Sequence, residues 1–132
     1  MAHPRKLKTS LAIFKVPILI FFLTFIFTFF QIYSSVKEKC VLAKQEFQKD
    51  CIGSLIEVVK SDGYSFEEKN GAVWAIGQIA DENALPFLEG LLETASFEDP
   101  CKVNQNICGV EVKKAIKWCT KGNITSWMYR NL

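Results

Sequence analysis

The sequence predicts an all-α protein: an N-terminal transmembrane helix followed by a short stack of helical hairpins. Three observations carry this expectation. Residues 16–33, VPILIFFLTFIFTFFQIY, hold no formal charge and six Phe between positions 21 and 30. Beyond them, apolar residues recur at helical spacing in one segment after another, and no strand pattern of convincing length occurs. The helical segments also repeat: LIEVVK at 55–60 matches LEGLLE at 88–93 at an offset of 33 residues, a period in the range of α-solenoids built from helix pairs.

With 132 residues the chain has room for one modest domain. Its net charge of +2 hides an uneven distribution. Arg5, Lys6, Lys8 and Lys15 lie in the first fifteen residues, and no acid precedes Glu38. Residues 16–132 are left with 12 basic and 14 acidic side chains. That balance argues against a nucleic-acid partner, because displacing phosphate counterions takes a basic stripe.

The uncharged run 16–33 is long enough to cross most of a hydrocarbon core as a helix. Pro17 is expected in its first turn, where a missing N–H costs little, and Gln31 and Tyr33 suit the far interface. A cleaved signal peptide shares the basic start and apolar run. This run is longer than a usual signal core, however, and ends in Gln-Ile-Tyr-Ser-Ser with no Ala-x-Ala site. A buried core helix would need more protein around it than this chain supplies. The far flank, Lys37, Glu38 and Lys39, is mixed in sign. The positive-inside rule therefore keeps the basic segment 1–15 in the cytosol and sends residues 34–132 across. The expectation is a single-pass membrane protein whose domain faces a periplasm, a secretory lumen or the extracellular side.

Residues 34–60 read as helix with one break. Val41, Leu42 and Phe47 mark the first part; Asp50 is a candidate N-cap for the second, with the stripe Ile52, Leu55, Ile56 and Val59. Gly63 suits a left-handed C-terminal stop. Ser65 and Glu68 form an S-x-x-E capping box that opens the next helix, which runs through Ala72, Ile76 and Ile79 to the turn at Ala80-Asp81-Glu82. Asn83 is expected to cap a further helix, with Pro86 in its first turn and its end near Ala95. The stripe Leu85, Leu88 and Leu92 should fill the seam against the preceding helix, with Gly77 and the alanines allowing close approach. Residues 96–109, SFEDPCKVNQNICG, show no periodicity and form an inserted loop. Val112, Ala115, Ile116 and Cys119 resume the helical pattern, which Gly122 ends. Domain boundaries are thus 34–122, with a C-terminal tail at 123–132.

A second internal match aligns EEKNGAVW at 67–74 with EVKKAIKW at 111–118, an offset of 44; the extra residues are the loop. GAVWAIGQIADENALPFLEGLL, residues 71–92, resembles a short HEAT-like repeat of the kind found in phycobilin-lyase relatives. Ala72, Ala75, Ile76, Gly77, Ile79, Asp81, Ala84, Leu85, Pro86 and Leu88 occupy the matching places, within residues 67–93. Ala80 stands where the repeat often has Gly. The resemblance implies an α-solenoid of HEAT-like hairpins, a scaffold that presents surface.

Catalytic chemistry is not expected. The one His is His3, ahead of the apolar run, so Ser-His-Asp and Cys-His arrangements are excluded for residues 34–132. Glu67, Glu68, Asp81, Glu82, Glu98 and Asp99 sit at caps and turns, where no spacing selects an acid–base pair. No metal or cofactor motif is present: the cysteines include no CxxC. All five lie beyond the apolar run, where an exported domain would form disulfides. Cys101 and Cys108 bracket the loop and are the favoured pair; Cys40 and Cys51 are a candidate second pair. Cys119 is then the odd one, either buried or bonded to another chain. Trp74 and Trp118 fall at equivalent positions and read as packing residues. Lys113, Lys114, Lys117 and Lys121, beside Trp127 and Tyr129, read as a solvated face, with contact to anionic lipid or an acidic partner as the alternative. Asn123-Ile124-Thr125 is a candidate glycosylation site. The functional expectation is a membrane-anchored binding or assembly scaffold for another protein, with Glu98, Asp99 and Lys102 as candidate partner-surface charges. The alternative is an exported accessory factor of a lyase-like or chaperone-like system that grips a ligand in a groove.

Overall fold

A computed structural model describes residues 6–132, with side chains from Lys15 onward; His3 and Arg5 lie outside the described residues. The α-helices are α1 (Lys6–Phe47), α2 (Cys51–Lys60), α3 (Phe66–Ile79), α4 (Leu85–Thr94) and α5 (Gly109–Lys121). Short 3₁₀ turns occupy Glu82–Ala84 and Ser126–Tyr129. The chain is all-α as expected; its sole β feature among the described residues is an isolated bridge between Ser96 and Cys108. It divides into two units, one ending at Ile32 and one spanning Tyr33–Leu132.

In the first unit, the helix is long and apolar enough to cross a membrane, with a mean hydropathy of 2.2 in its most apolar window. Its apolar side chains, Phe21, Phe22 and Phe27 among them, are exposed. Pro17 lies inside α1 and not in its first turn, because the helix extends through the preceding Lys- and Ala-containing segment. An interior Pro removes one backbone bond. The hydroxyls of Thr24 and Thr28 bond back to carbonyls one turn earlier, at 2.8–3.0 Å, which satisfies them without water.

The second unit is a helical domain with α3 at its centre, packed against α2 on one side and α5 on the other. Its fully buried side chains include Val36, Leu55, Val73, Ile76, Leu88 and Val112. On α1 the packed stripe is Val36, Cys40 and Ala43, with Phe47 half-buried. Val41 and Leu42 face outward, contrary to the sequence reading. Small Cys40 and Ala43 fit the close contact that a bulkier side chain would hold open.

Local capping signals are realised where the partners are near in sequence. The Asp50 side chain accepts from the Gly53 amide at 3.5 Å. Both halves of the Ser65–Glu68 box form: the Ser65 amide donates to Glu68 Oε2 at 2.8 Å and the Glu68 amide to Ser65 Oγ at 3.3 Å. The Ser65 hydroxyl, which donates to Glu68 Oε2 at 2.7 Å, and after it the Ser65 amide hold the Glu68 carboxyl below its usual range. Two boundaries differ from expectation. Helix α2 ends in an extended Ser61, whose amide donates to the Glu57 carbonyl, and Gly63 is not in the left-handed region. Asp81, not Asn83, accepts at the start of the next element, taking the Asn83 amide at 2.9 Å. A 3₁₀ turn intervenes there, and α4 begins at Leu85 with Pro86 in its first turn. Ala80 adopts the left-handed conformation, φ 57°, at the steric cost of a Cβ.

Gly77 does mark a close helix crossing. A Cβ there would lie 2.9 Å from Trp118 Cε3 and 3.0 Å from Ala115 Cα, so the approaching helix is α5. Helix α4 likewise packs on α5, where sequence reading placed Leu85, Leu88 and Leu92 in a seam against α3. Gly122, φ 81°, ends α5 as expected.

The tail 123–132 is part of the domain. Gln78, buried on α3, accepts from Thr125 Oγ1 at 2.8 Å and from Asn123 Nδ2 at 3.2 Å. Tyr129 is buried and its ring stacks on Tyr33, with centroids 5.9 Å apart.

Candidate functional site

The segment between α4 and α5 contains the most elaborate polar construction in the domain. Its ends are zipped together: the Ser96 amide donates to the Ile107 carbonyl at 2.8 Å, and the Gly109 amide to the Ser96 carbonyl at 2.7 Å. Between them the chain turns tightly, with the Gln105 and Asn106 amides both donating to the Lys102 carbonyl, at 2.8 and 3.2 Å. Cys101 and Cys108 lie at disulfide distance, with Cα atoms 5.9 Å apart, inside the range such a bond requires. Cys40 and Cys51 form the second such pair, Cα atoms 5.2 Å apart, tying α1 to α2. Cys119 is free and buried, and burial, followed by the Asp81 charge, pushes its thiol up to about 11.

Asn70 holds this loop to the domain. It is buried on α3, and its Nδ2 faces three carbonyls: Phe66 at 2.9 Å, Val103 at 3.0 Å and Asn106 at 2.8 Å. Its Oδ1 accepts from the buried Cys108 amide at 2.9 Å. One side-chain amide thus supplies both the donor and the acceptor that the returning loop lacks. Sequence reading passed over it, since its loop partners lie 33, 36 and 38 positions away. The available signal was a lone Asn inside a helix, where that residue competes with the backbone and needs a reason to be present.

Glu98, Asp99 and Lys102, the candidate surface charges, are exposed. Glu98 and Lys102 pair with each other at 3.4 Å, a contact that water and salt leave weak. The apolar part of the surface was not foreseen in full. Phe97, Val103 and Val110 are 50, 41 and 48 % exposed. Phe97 lies against Gly109, where a Cβ would come within 2.5 Å of its ring, and Lys113 Nζ sits 4.4 Å from its centroid. The ring is therefore fixed on one side and open on the other. Asn123 is half-buried with its amide nitrogen already bonded to Gln78.

Elsewhere, a pocket of about 120 Å³ lies among Lys39, Leu42, Leu55, Tyr64, Glu68 and Ala72. Tyr64 donates to Glu46, and this bond, followed by burial, raises its phenol to about 12. An open depression of about 320 Å³ lies between Ile79–Asp81 and the last 3₁₀ turn. Among the described residues, no group of three or more His, Cys, Asp or Glu could hold a metal ion. No protein-family model, curated protein or solved structure matches the chain, and the HEAT-like resemblance of residues 67–93 gains no support from them.

Proposed function

We propose that this protein is a membrane-anchored binding module: residues 16–33 hold it in the bilayer, and the 96–109 loop of its exported helical domain captures another protein. The observation that carries this reading is the loop itself. It is pinned by Asn70, closed by the Cys101–Cys108 pair and backed by Gly109, yet leaves Phe97, Val103 and Val110 partly exposed beside charges of both signs. A fixed aromatic within a polar rim binds at little cost in conformational entropy. Two cysteine pairs suit an oxidising compartment, and the basic N-terminal segment favours a cytosolic start.

A ligand-gripping accessory role has less behind it. The pocket of about 120 Å³ is smaller than the roughly 300–1,000 Å³ of ordinary small-molecule sites, and the larger depression is open.

A photo-reactive phenylalanine analogue at Phe97, in intact membranes, should crosslink to a discrete partner. The same group at exposed Glu89 on α4 should not, and Asn70→Ala should abolish the Phe97 adduct. Equal crosslinking from both positions, or an adduct indifferent to Asn70, refutes the loop as the binding surface. A reporter fused after Leu132 that is active only in the cytosol refutes the topology.

A further inference from the structure

We propose that the C-terminal 3₁₀ turn is a second membrane contact, through which Ile124 and Trp127 sit in the interfacial layer of the bilayer that holds residues 16–33. This rests on the anchored reading above. Tyr33 is both the last residue of the apolar run and the first of the helical domain. Tyr129 stacks on it at 5.9 Å with the rings within 13° of parallel, and Lys37 Nζ lies 5.9 Å from the Tyr33 centroid. The tail is thus fastened to the residue at which the chain leaves the apolar run. It is held at its other end too, because Thr125 is 3 % exposed and bonded to Gln78. Trp127, between Thr125 and Tyr129, is 62 % exposed, and Ile124, flanked by Asn123 and Thr125 that both bond to Gln78, is 74 % exposed. Neither is a flexible side chain on a loose end.

The chemistry of the segment matches a lipid surface. Trp, with an apolar body and one N–H, is the residue enriched where hydrocarbon gives way to headgroups. Residues 112–132 contain five basic side chains, Lys113, Lys114, Lys117, Lys121 and Arg130, and no acidic one. A basic stretch with exposed Trp and Ile is attracted by anionic headgroups and retained by apolar burial. The same residues against water would leave the most exposed large apolar side chain among the described residues, Ile124, uncovered.

The test uses the full chain reconstituted into phosphatidylcholine–phosphatidylserine vesicles carrying a spin-labelled lipid with its quencher just below the headgroups. Flotation first establishes that the protein is held by the bilayer. Tryptophan emission of the wild type should then be quenched by the lipid label, and Trp127→Phe should remove that quenching while leaving helicity unchanged. Trp74 and Trp118, half-buried in the helical domain, supply the unquenched remainder. Equal lipid quenching in the two proteins, or emission of Trp127 that responds to aqueous iodide instead, overturns the proposal and leaves the exposed pair for a protein partner. A chain that does not float defeats the anchor and this contact together; one that floats without Trp127-dependent quenching defeats only the contact.

Discussion

Replacing Asn70 is the sharpest probe of the loop. Asn70→Ala deletes the one group that the Cys108 amide donates to, and that amide is buried. An unpaired buried donor costs about 1–3 kcal/mol. The Val103 and Asn106 carbonyls also lose their partner, but they lie on a loop that water can reach, so each loses only the net value of a bond, about 0.5–1.5 kcal/mol. The Phe66 carbonyl stays within the helix. The sum is roughly 2–6 kcal/mol, a large share of the 5–15 kcal/mol typical of a domain. Asn70→Asp separates donor from acceptor. The introduced carboxylate still accepts from Cys108 but presents negative charge to two carbonyl oxygens, so at neutral pH it should destabilise more than Ala does. Those oxygens raise the introduced group above the usual carboxylate value of about 3.9. Its protonated form can donate, so the deficit relative to wild type shrinks as pH falls and grows as pH rises through that raised value. Unfolding of the detergent-solubilised full chain in urea, followed by circular dichroism, reads the stability, and hydrogen exchange at the Cys108 amide reads the loop. Two results would refute the reasoning: Asn70→Ala within about 0.5 kcal/mol of wild type, or Asn70→Asp milder than Asn70→Ala at pH 7.

Three further outcomes are expected. Gly77→Val drives methyl groups into Trp118 and Ala115 and should lower stability by about 1–3 kcal/mol or more, whereas Gly90→Ala, with nothing within 4 Å, should raise it by about 0.5–1 kcal/mol; thermal melts of the two variants decide. Leu88→Asp buries an unpaired carboxylate at a fully enclosed position and should abolish the folded domain, while exposed Lys114→Glu loses only the 2.7 Å surface pair with Glu111 and should keep full helicity. Peptide mapping of non-reduced protein should return Cys40–Cys51 and Cys101–Cys108, with Cys119 alkylated only after denaturation. Because the folded protein keeps that thiol protonated up to about pH 11 while an unfolded chain ionises it earlier, the Cys119 contribution is intact at neutral pH. It is lost as pH rises toward 11, and Cys119→Ala should flatten that part of the stability profile.

Helix placement was legible where cause and effect are neighbours. The Ser65–Glu68 box, the Asp50 cap and the Gly122 stop are each decided within one turn of chain, so the sequence around them suffices. What failed was set by distant partners. Val41 and Leu42 are apolar and Cys40 and Ala43 are small, so hydrophobicity pointed to the wrong face of α1; the contact with α2 and α3 selects size as well as polarity. The seam expected between α3 and α4 lies on α5, because the 96–108 loop lets α5 return beside both. Asp81 displaced Asn83 as the cap because a 3₁₀ turn, invisible to a 3.6-residue period, precedes α4. Of the candidate site, the two cysteine pairs and the exposed charges could be anticipated from spacing and composition. The residue that fixes the loop, Asn70, and the aromatic it presents, Phe97, could not, since their meaning lies in carbonyls and a glycine far along the chain.

The stacking of Tyr129 on Tyr33 has a topological consequence. The domain's first residue meets one three positions from its last, so the path of the domain is nearly a closed ring, and the position of the break in that ring is incidental to the packing of α2, α3, α4 and α5. A permuted chain, joined by a short linker from Leu132 to Tyr33 and opened at the exposed Asn104–Gln105 tip, would keep every helix–helix contact while moving its new ends into the loop. In the chain as it runs, the pairing of Tyr33 with Tyr129 leaves the whole 96–109 loop unbroken.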